Sequence, residues 1–557
     1  MPVFALRGAD DLGVGDTEAV RELIDFAAGQ GLRVVQILPV NAMGGDSSPY
    51  NLLSAMALEP TTIATRPKIL PDLTQKDFAA ITARHDLTAL RAGPIQYSDA
   101  KALKNELLQA AHRRFQSRSP RGCRVLAWQA FAGQHADWLP DYALHRALLS
   151  WHGDVEASAD WPEEHRSPAA ARTWIASLGS EEKRRIGDLI DFHSYVQWIA
   201  FTQWRAVRDH ADREGVALMG DVPVGVSLSS ADVWRNPDFF DTVHSSGAPP
   251  EKVFSADLFT EKWGQNWGFP LYHWDAMRRD DYAWWRRRLR LLMGVFHLLR
   301  VDHALGFFRI YSFPWRPEDD AKFLDLTPDE AAGLTGGELP RFRDFEDDTE
   351  EHRVHNQRQG EQLFQILLEE IGSHRLIAED LGEVAPYVRP TLEALEIPGF
   401  KIPQWERRGD RLTSGSDYQR LSLATYATHD HPPLHTLWDD LFQKSQSDDQ
   451  STRDAAIHSS WELMDFCGCP DHQLPQPFTP EIHEILLRGL FASNSWLAIP
   501  MITDIFGTTE RFNVPGSEAG KNWTQRVEQP VALWENAWVD RLTVMRRLLP
   551  ESGRGRK

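Results

Sequence analysis

The chain has 557 residues, of which 42% are hydrophobic and 25% are charged, and its formal net charge is −20. This length and composition are typical of a globular protein with one large domain and insertions, or with two to four smaller domains. The negative charge repels phosphates, which disfavours nucleic acids and anionic membranes as partners and leaves a neutral substrate open.

The cysteine content and the hydropathy of the chain indicate the cellular compartment in which we expect the protein. The three cysteines, Cys123, Cys467 and Cys469, are too few for a disulfide framework, and we expect a reducing, cytoplasmic setting. Cys467 and Cys469 could bind a metal, but no second pair accompanies them, and inert thiols are the simpler interpretation. The first residues show no signal-peptide pattern, and no apolar run of about 18 residues predicts a membrane span.

Short apolar runs that end in polar or acidic residues recur along the chain. They lie at 32–40, 216–225, 295–303, 374–382, 398–406, 422–430 and 495–500. Helical patterns such as 17–31 and 195–215 separate many of them. Alternating strands and helices predict a parallel sheet that is buried on both faces. Seven or eight such strands predict an α/β fold, a (β/α)8 TIM barrel, whose chemistry lies at the carboxyl ends of the strands.

The patterns between these runs predict the domain organisation. We expect residues 1–540 to form a single catalytic barrel with large, mostly helical insertions. Residues 51–190 are mostly helical by pattern and predict a helical subdomain inserted in the barrel. Residues 316–360 are acidic and interrupted by Gly and Pro, which is typical of a surface excursion or lid. Residues 541–557 should form the end of a C-terminal helix and a frayed tail.

Three carboxylates, Asp302, Glu379 and Asp430, stand at the ends of predicted strands, and barrel geometry would bring them into one pocket. A retaining glycosidase needs two carboxyl groups that flank the sugar, one as nucleophile and one as acid/base. Arg300 lies two residues before Asp302 on the same strand face, where it would keep Asp302 ionised, as a nucleophile requires. Glu379 follows an apolar run, a setting that favours the protonated form of an acid.

Two alternatives remain open from the residues alone. The carboxylates could be ion pairs at the mouth of a barrel that hosts another chemistry. They could also hold a divalent metal together with His303, His429 or His431, although no compact ligand motif is present.

Ten stretches in fixed order over roughly 470 residues resemble one known family. They are GDSSPYN (45–51), WLPDYALHRAL (138–148), FHSYVQWIAFTQW (192–204), MGDVPVGVSLSSADVW (219–234), GQNWGFPLYHW (264–274), RVDHALGFF (300–308), IAEDLG (377–382), PGFKIPQWE (398–406), THD (428–430) and FNVPG (512–516). They are similar to motifs of the 4-α-glucanotransferases, or amylomaltases, of glycoside hydrolase family 77. The resemblance leans towards the plant-type cytosolic disproportionating branch, but we expect no counterpart of the starch-binding modules of that branch.

The resemblance implies a role for individual residues. Asp302 would be the nucleophile, Glu379 the general acid/base and Asp430 the stabiliser of the transition state. The implied substrate-binding residues are Tyr50, which would stack on the sugar, Asp221, which braces the same subsite, Trp267 on the acceptor side, Arg300, which positions the nucleophile, and His303 and His429, the latter binding sugar hydroxyls. His431 and Pro432 depart from the family's Asn and Asp at the rim of the site.

The resemblance also implies an activity. The expected reaction moves a glucosyl or α-1,4-glucan segment from maltose or a maltodextrin to the 4-OH of an acceptor, including a glycogen-type glucan, by a retaining double displacement. It needs neither a metal nor an organic cofactor. A hydrolase with the same three carboxylates and a non-catalytic glycan-binding barrel remain alternatives. The sequence gives no oligomeric state.

Overall fold

The structure, a computed structural model, describes residues 1–154, 160–250, 257–515 and 522–555. Its strands are, in chain order, β1 (Val34–Gln36), β2 (Ala217–Val222), β3 (Phe240–Asp241), β4 (Ser245–Ala248), β5 (Gln265–Asn266), β6 (Leu271–Tyr272), β7 (Leu298–Val301), β8 (Ile310–Phe313), β9 (Arg341–Arg343), β10 (Leu376–Ala378), β11 (Gly399–Lys401), β12 (Arg407–Arg408), β13 (Arg411–Leu412), β14 (Ser422–Ala424) and β15 (Leu497–Ala498).

Its helices are, in the same order, α1 (Thr17–Gly29), α2 (Gln75–Thr82), α3 (Leu87–Arg91), α4 (Tyr97–Gln116), α5 (Cys123–Gln134), α6 (Leu139–Trp151), α7 (Pro168–Ser177), α8 (Ser180–Glu214), α9 (Ala231–Arg235), α10 (Leu258–Trp263), α11 (Trp274–Arg279), α12 (Ala283–Met293), α13 (Asp320–Phe323), α14 (Pro328–Leu334), α15 (Glu350–Ile371), α16 (Val388–Ala394), α17 (Leu434–Lys444), α18 (Gln450–Phe466), α19 (Pro480–Ala492), α20 (Ile502–Phe506), α21 (Trp534–Ala537) and α22 (Val539–Glu551).

The centre of the molecule is a wall of parallel strands. Strands β1, β2, β7 and β10 pair in that order, and β11, β14 and β15 form a second parallel group. The backbone N–H of Ala378 donates to the carbonyl of Pro398 at 2.9 Å and joins the two groups. One side chain from each of five strands forms the buried interior: Met219, Leu298, Ile377, Phe400 and Leu423. The fold is therefore the predicted α/β barrel with helical insertions, and seven of its parallel strands lie in the described residues.

Local sequence signals set these elements. Asp16 caps α1, because its side chain accepts the backbone N–H groups of Glu18 and Ala19. Helix α8 ends at Gly215, whose φ of 63° is left-handed and suits glycine. Gly220 in β2 lies against the ring of Phe296, where a Cβ atom would approach a ring carbon to 2.4 Å. Glycine thus lets the helical layer close onto the strand.

The segment between β1 and β2, which contains the predicted insertion at 51–190, is mostly helical. Helices α2 to α7 lie within it, but α8 continues without a break through residue 190 to Glu214. Helix α8 contacts α6 of the insertion and also α1 and β2 of the barrel. The subdomain therefore shares its last helix with the barrel. Residues 155–159 of the predicted range lie outside the described residues.

Residues 316–360, expected as a surface excursion, contain regular structure. They hold α13, α14 and β9, together with the first half of α15. Strand β9 joins an antiparallel sheet in the order β5, β4, β8, β9, which connects the segment to 245–266. Its motion as a lid remains a prediction.

The end of the chain differs from the expected frayed tail. Helix α22 ends at Glu551, and the Arg554 guanidinium then donates to the carbonyls of Phe491, Ser493 and Ser495. These bonds anchor the chain as far as Gly555, whose carbonyl accepts from Arg33. Residues 556–557 of the predicted tail lie outside the described residues. Within the described part of the chain, no helix combines the length and the apolar character that a membrane crossing requires.

Candidate active site

The candidate catalytic carboxylates leave the wall at neighbouring strand ends. Asp302 directly follows β7, and its N–H donates to the carbonyl of Val222 in β2 at 3.0 Å. Glu379 directly follows β10, and its N–H donates to the carbonyl of Val301 in β7 at 3.0 Å. The ladder thus continues one step beyond each strand, so that both side chains emerge at the same edge of the wall.

Arg300 is the centre of the charged cluster. The strand register places Asp221 opposite Arg300, and the Nη1 atom of Arg300 donates to both oxygens of Asp221 at 2.7 and 2.6 Å. The same Nη1 reaches Oδ1 of Asp302 at 3.1 Å. Its Nη2 lies 2.8 Å from Oε1 of Glu379, in an ion-pair contact rather than an aligned hydrogen bond. One guanidinium is therefore shared by three carboxylates.

Glu379 is held from a second side by backbone. The N–H of His303 donates to Oε2 of Glu379 at 2.8 Å. His303 has φ 43°, a left-handed conformation that is uncommon for residues other than glycine. Both oxygens of Glu379 thus face positive partners, rather than the apolar surroundings that the preceding residues suggested.

Asp430 is positioned by residues far along the chain. The amide of Asn513 donates to Oδ1 of Asp430 at 2.6 Å, and Nε2 of His429 lies 3.2 Å from Oδ2. Arg511 donates to the backbone carbonyl of Asp430 at 2.5 Å. Neither Asn513 nor Arg511 was among the predicted site residues. The signal was present in FNVPG at 512–516, although Gly516 of that motif lies outside the described residues.

Two aromatic contacts shape the walls of the site. The ring of Tyr50 stacks on the ring of His429, with centroids 4.8 Å apart, and its hydroxyl donates to Asp221 at 2.8 Å. One face of Tyr50, expected to stack on a sugar, is thus occupied by His429. The ring of Trp267 meets that of His303 edge to face at 4.8 Å.

Burial determines the protonation preferences here. Burial raises the pKa of Asp302 well above its ordinary value; Arg300 lowers that pKa, and the charges of Glu379 and Asp221 raise it again. Burial therefore affects the pKa of Asp302 more than Arg300 does, whereas the sequence alone suggested that Arg300 would be the main influence. Burial, reinforced by Arg300, lowers the pKa of His303 to about 4 and that of His429 to about 3, so both rings are neutral at pH 7.

These groups open onto a long cleft. Its cavity volume is about 1340 Å³, above the ~300–1,000 Å³ of an ordinary small-molecule pocket. Seven of the nine predicted site residues line it, namely Tyr50, Trp267, Asp302, His303, Glu379, His429 and Asp430. Asp221 and Arg300 are buried behind them. The shape suits an extended chain molecule, and the acidic floor suits chemistry that needs both a carboxylate and a carboxylic acid.

The metal alternative finds little geometric support. Within the described ranges, donor atoms close enough to share one ion belong to Asp25, His210 and Glu214, which lie on α1 and α8 away from the cleft. In the cleft, Arg300 occupies the position between the carboxylates where a cation would be needed.

Comparisons with known proteins agree with this chemistry. The family model described as 4-alpha-glucanotransferase matches residues 1–531. A 4-alpha-glucanotransferase of Chlamydia pneumoniae is 27% identical over 95% of this chain and 90% of its own length. One of Thermus thermophilus is 30% identical over 94% and 93%. Because bacterial relatives match almost end to end, the leaning towards the plant-type branch remains a prediction.

A solved structure supports the fold. An amylomaltase from Streptococcus agalactiae, determined in complex with acarbose, superposes with a TM-score of 0.74 at 22% identity and covers 100% of this chain and 99% of its own. The strand-end carboxylates, the shared arginine and the end-to-end family match lead to one assignment: the chain belongs to the 4-alpha-glucanotransferase family, glycoside hydrolase family 77.

Proposed function

We propose that this protein transfers α-1,4-glucan segments between maltodextrins by a retaining double displacement, with Asp302 as nucleophile, Glu379 as acid/base and Asp430 as stabiliser of the transition state. The observation that carries the proposal is the pair Asp302 and Glu379, which leave adjacent strands and contact the same buried guanidinium. A retaining mechanism requires two carboxyl groups close together on either side of the scissile bond.

In the first step, a carboxylate oxygen of Asp302 attacks the anomeric carbon of the donor. The bond from that carbon to the glycosidic oxygen breaks as the Glu379 carboxyl group gives its proton to the leaving oxygen. A glycosyl ester forms on Asp302, and the non-retained part of the donor departs as an alcohol. Burial raises the pKa of Asp302, and the mechanism requires the form in which Asp302 has lost its proton and Glu379 carries one.

In the second step, Glu379 accepts the proton of an acceptor 4-OH, and the resulting oxygen displaces Asp302 from the anomeric carbon. Once esterified, Asp302 no longer carries a negative charge. This step needs Glu379 as a carboxylate base, and the Arg300 guanidinium lies 2.8 Å from its Oε1.

Asp430 would stabilise positive charge at the anomeric centre and bind sugar hydroxyls together with the neutral ring of His429. Asn513 holds Oδ1 of Asp430, and Oδ2 lies beside the His429 ring, so that the carboxylate and the ring would face the substrate together. Trp267 would border the acceptor. Transfer rather than hydrolysis requires that the bound acceptor exclude water, a task to which the segment 316–360 would contribute through Phe342 and Asp320 at the cleft.

The proposed substrates are maltose, maltodextrins and glycogen-type glucan. The length of the cleft supports a chain of linked sugars, and the amylomaltase of Streptococcus agalactiae was determined with acarbose bound. Three free cysteines support a cytoplasmic location. The mechanism needs no metal or organic cofactor.

Product analysis after incubation with maltotriose tests the proposal. A ladder of longer maltodextrins together with glucose is the expected result. Glucose and maltose without longer products would favour the hydrolase alternative, and no products would favour a glycan-binding barrel. Asp302→Asn and Glu379→Gln should each abolish the ladder while leaving the thermal midpoint near that of the parent. Asp275→Asn, at a side chain 81% exposed, is the matched control, and a ladder of parental strength from Asp302→Asn would refute the assignment.

A further inference from the structure

The cleft extends beyond the three candidate catalytic carboxylates. Part of its lining belongs to the antiparallel sheet of β5, β4, β8 and β9 and to the segment 316–360 that this sheet joins to the barrel. Two residues of that segment line the cleft, Asp320 and Phe342. Neither was among the predicted site residues, and neither contacts the Arg300 cluster, so their part of the cleft needs its own explanation.

The strand register sets the distance between the two residues. Asn266 lies opposite Gly247, which lies opposite Tyr311, and Tyr311 lies opposite Phe342. Paired residues of antiparallel strands share one face of a sheet, and three strand spacings separate the ends of this row by about 14 Å. The Asn266 amide donates to Asp320 at 2.8 Å, so Asp320 lies at the end of the row opposite Phe342. Such a span suits several linked sugar units rather than one.

Phe342 is held as a fixed ring. The guanidinium carbon of Arg309 lies 3.6 Å from the ring centre, and the ring of Tyr311 meets it edge to face at 5.3 Å. Arg309 is itself fixed by Asp347 and Glu383, each at 3.3 Å. The ring is half-buried and lines the cleft with the surface that remains. It therefore offers a flat apolar platform on which the C–H groups of a glucose unit can pack.

Asp320 supplies a polar contact in the same part of the cleft. The Nδ2 atom of Asn266 and the Nε1 atom of Trp315 both donate to its Oδ1, at 2.8 and 2.9 Å. Across the described ranges of the chain, no donor contacts its Oδ2. Burial raises the pKa of this carboxyl group to about 6, opposed by the two donors. A carboxylate with one oxygen fixed and the other open to the cleft is a natural acceptor for a sugar hydroxyl.

We propose that Phe342 and Asp320 form a glucan-binding subsite away from the scissile bond, through which the segment 316–360 makes the protein prefer longer maltodextrins to short ones. The inference rests on the proposed glucan transfer and adds a determinant of substrate length to it. Phe342 would stack on one glucose unit, and Asp320 would accept a hydrogen bond from a hydroxyl of another. Maltotriose that spans the scissile bond leaves few units for these contacts, whereas maltoheptaose has units to spare.

Binding measurements on a protein that carries Asp302→Asn test the inference without turnover. Phe342→Ala and Asp320→Asn are each added to this protein, and isothermal titration calorimetry gives the dissociation constants of maltoheptaose and maltotriose. Each added change should weaken maltoheptaose binding about 5- to 10-fold more than maltotriose binding. Phe342→Leu, which keeps an apolar side chain but no flat ring, should give the same preference as Phe342→Ala, and thermal midpoints establish that each variant is folded.

Two changes in the same segment are the matched controls. Phe345 stacks on His352 with centroids 4.4 Å apart and does not line the cleft, and Asp325 is exposed. Phe345→Ala and Asp325→Asn should leave the ratio of the two dissociation constants at the value of the Asp302→Asn protein. A ratio in the Phe342 and Asp320 variants equal to that of these controls would overturn the inference, and so would equal losses for the two sugars.

Product analysis of the parent with maltotriose is recorded in parallel and separates the two proposals. A ladder from the parent, together with an unchanged ratio in the variants, would refute the subsite and leave glucan transfer in place. A missing ladder, together with the expected change in the ratio, would refute transfer and support glucan binding at Phe342 and Asp320.

Discussion

Arg300 and Asp221 form a buried ion pair in which one nitrogen of the guanidinium contacts both carboxylate oxygens, at 2.7 and 2.6 Å. The side chains are 1% and 0% exposed, so water screens neither charge. Asp221 does not line the cleft, yet both of its oxygens contact the guanidinium, whereas Asp302 and Glu379 each contact it through one oxygen. The charge of Asp221, behind the site, therefore contributes to the raised pKa of Asp302.

Two replacements of Arg300 should distinguish the effect of its positive charge from the effect of its planar shape. Arg300→Lys keeps one positive charge but lacks the planar fork that reaches three carboxylates, and we expect kcat on maltotriose to fall by about 100-fold. Arg300→Leu leaves those carboxylates buried without a cation and should lower the free energy of unfolding by about 3–5 kcal/mol. Steady-state kinetics and denaturant unfolding measure the two effects. Arg279→Lys, on the surface, is the control, and an Arg300→Lys enzyme as fast as that control would contradict the shared-cation model.

Asp221→Asn should move the pH profile of activity in a defined direction. Asp302 must be ionised to attack, and the negative charge of Asp221 raises its pKa. Loss of that charge lowers the pKa of Asp302, so the acid limb of kcat/KM should shift to lower pH. The profile is measured with maltotriose for the parent, Asp221→Asn and the exposed control Asp275→Asn. An acid limb that stays in place or moves to higher pH would argue against this electrostatic role.

Asn513 should act on the rate through Asp430. Asn513→Ala removes the 2.6 Å hydrogen bond to Oδ1, and we expect kcat to fall about 10- to 100-fold with KM changed by less than about threefold. Asn513→Asp removes the amide donor and places a second carboxyl group against Asp430, so it should be slower than Asn513→Ala. Steady-state kinetics with maltotriose distinguish the two variants. Equal rates for Asn513→Ala and Asn513→Asp would show that the carboxylate of Asp430 is not the group affected.

The left-handed backbone at residue 303 gives a prediction about side-chain shape. Asn tolerates this conformation, whereas a β-branched residue is strained there by about 1–2 kcal/mol. His303→Asn should therefore preserve the backbone N–H that binds Glu379, and His303→Val should displace it and lose more activity. Thermal midpoints and kcat of both variants provide the comparison, in which a His303→Val protein as stable and active as His303→Asn would contradict the backbone role.

The sequence allowed prediction of residues whose position depends on local pattern. Asp302 and Glu379 directly follow apolar strands, so their convergence could be inferred from barrel geometry alone. The ion pair between Arg300 and Asp221 could not be inferred in this way. It depends on the register of β2 against β7, and the two residues are 79 positions apart in the chain. Asn513 lies 83 residues from Asp430, and spacing carries no information about such a contact.

The same limit applies to the fold. The helical pattern at 195–215 was recognisable, but the predicted end of the insertion at 190 falls inside α8. The apolar pattern of α8 continues from the insertion into the barrel, so hydrophobic periodicity does not show where the insertion ends.

Helix α8 has a consequence for how the molecule unfolds and how it can be shortened. Its 35 residues form a rod of about 52 Å. Ile190 packs with Leu144 and Ala171 in the insertion, and Gln203 accepts a hydrogen bond from Thr17 in α1. Local unfolding of either half would fray the helix against which the other half packs. We therefore expect the insertion and the barrel to unfold cooperatively. A shortened protein that lacks the insertion would need a new N-cap near the middle of α8. Truncation at the apparent domain border would otherwise leave the first backbone N–H groups of the remaining helix uncapped.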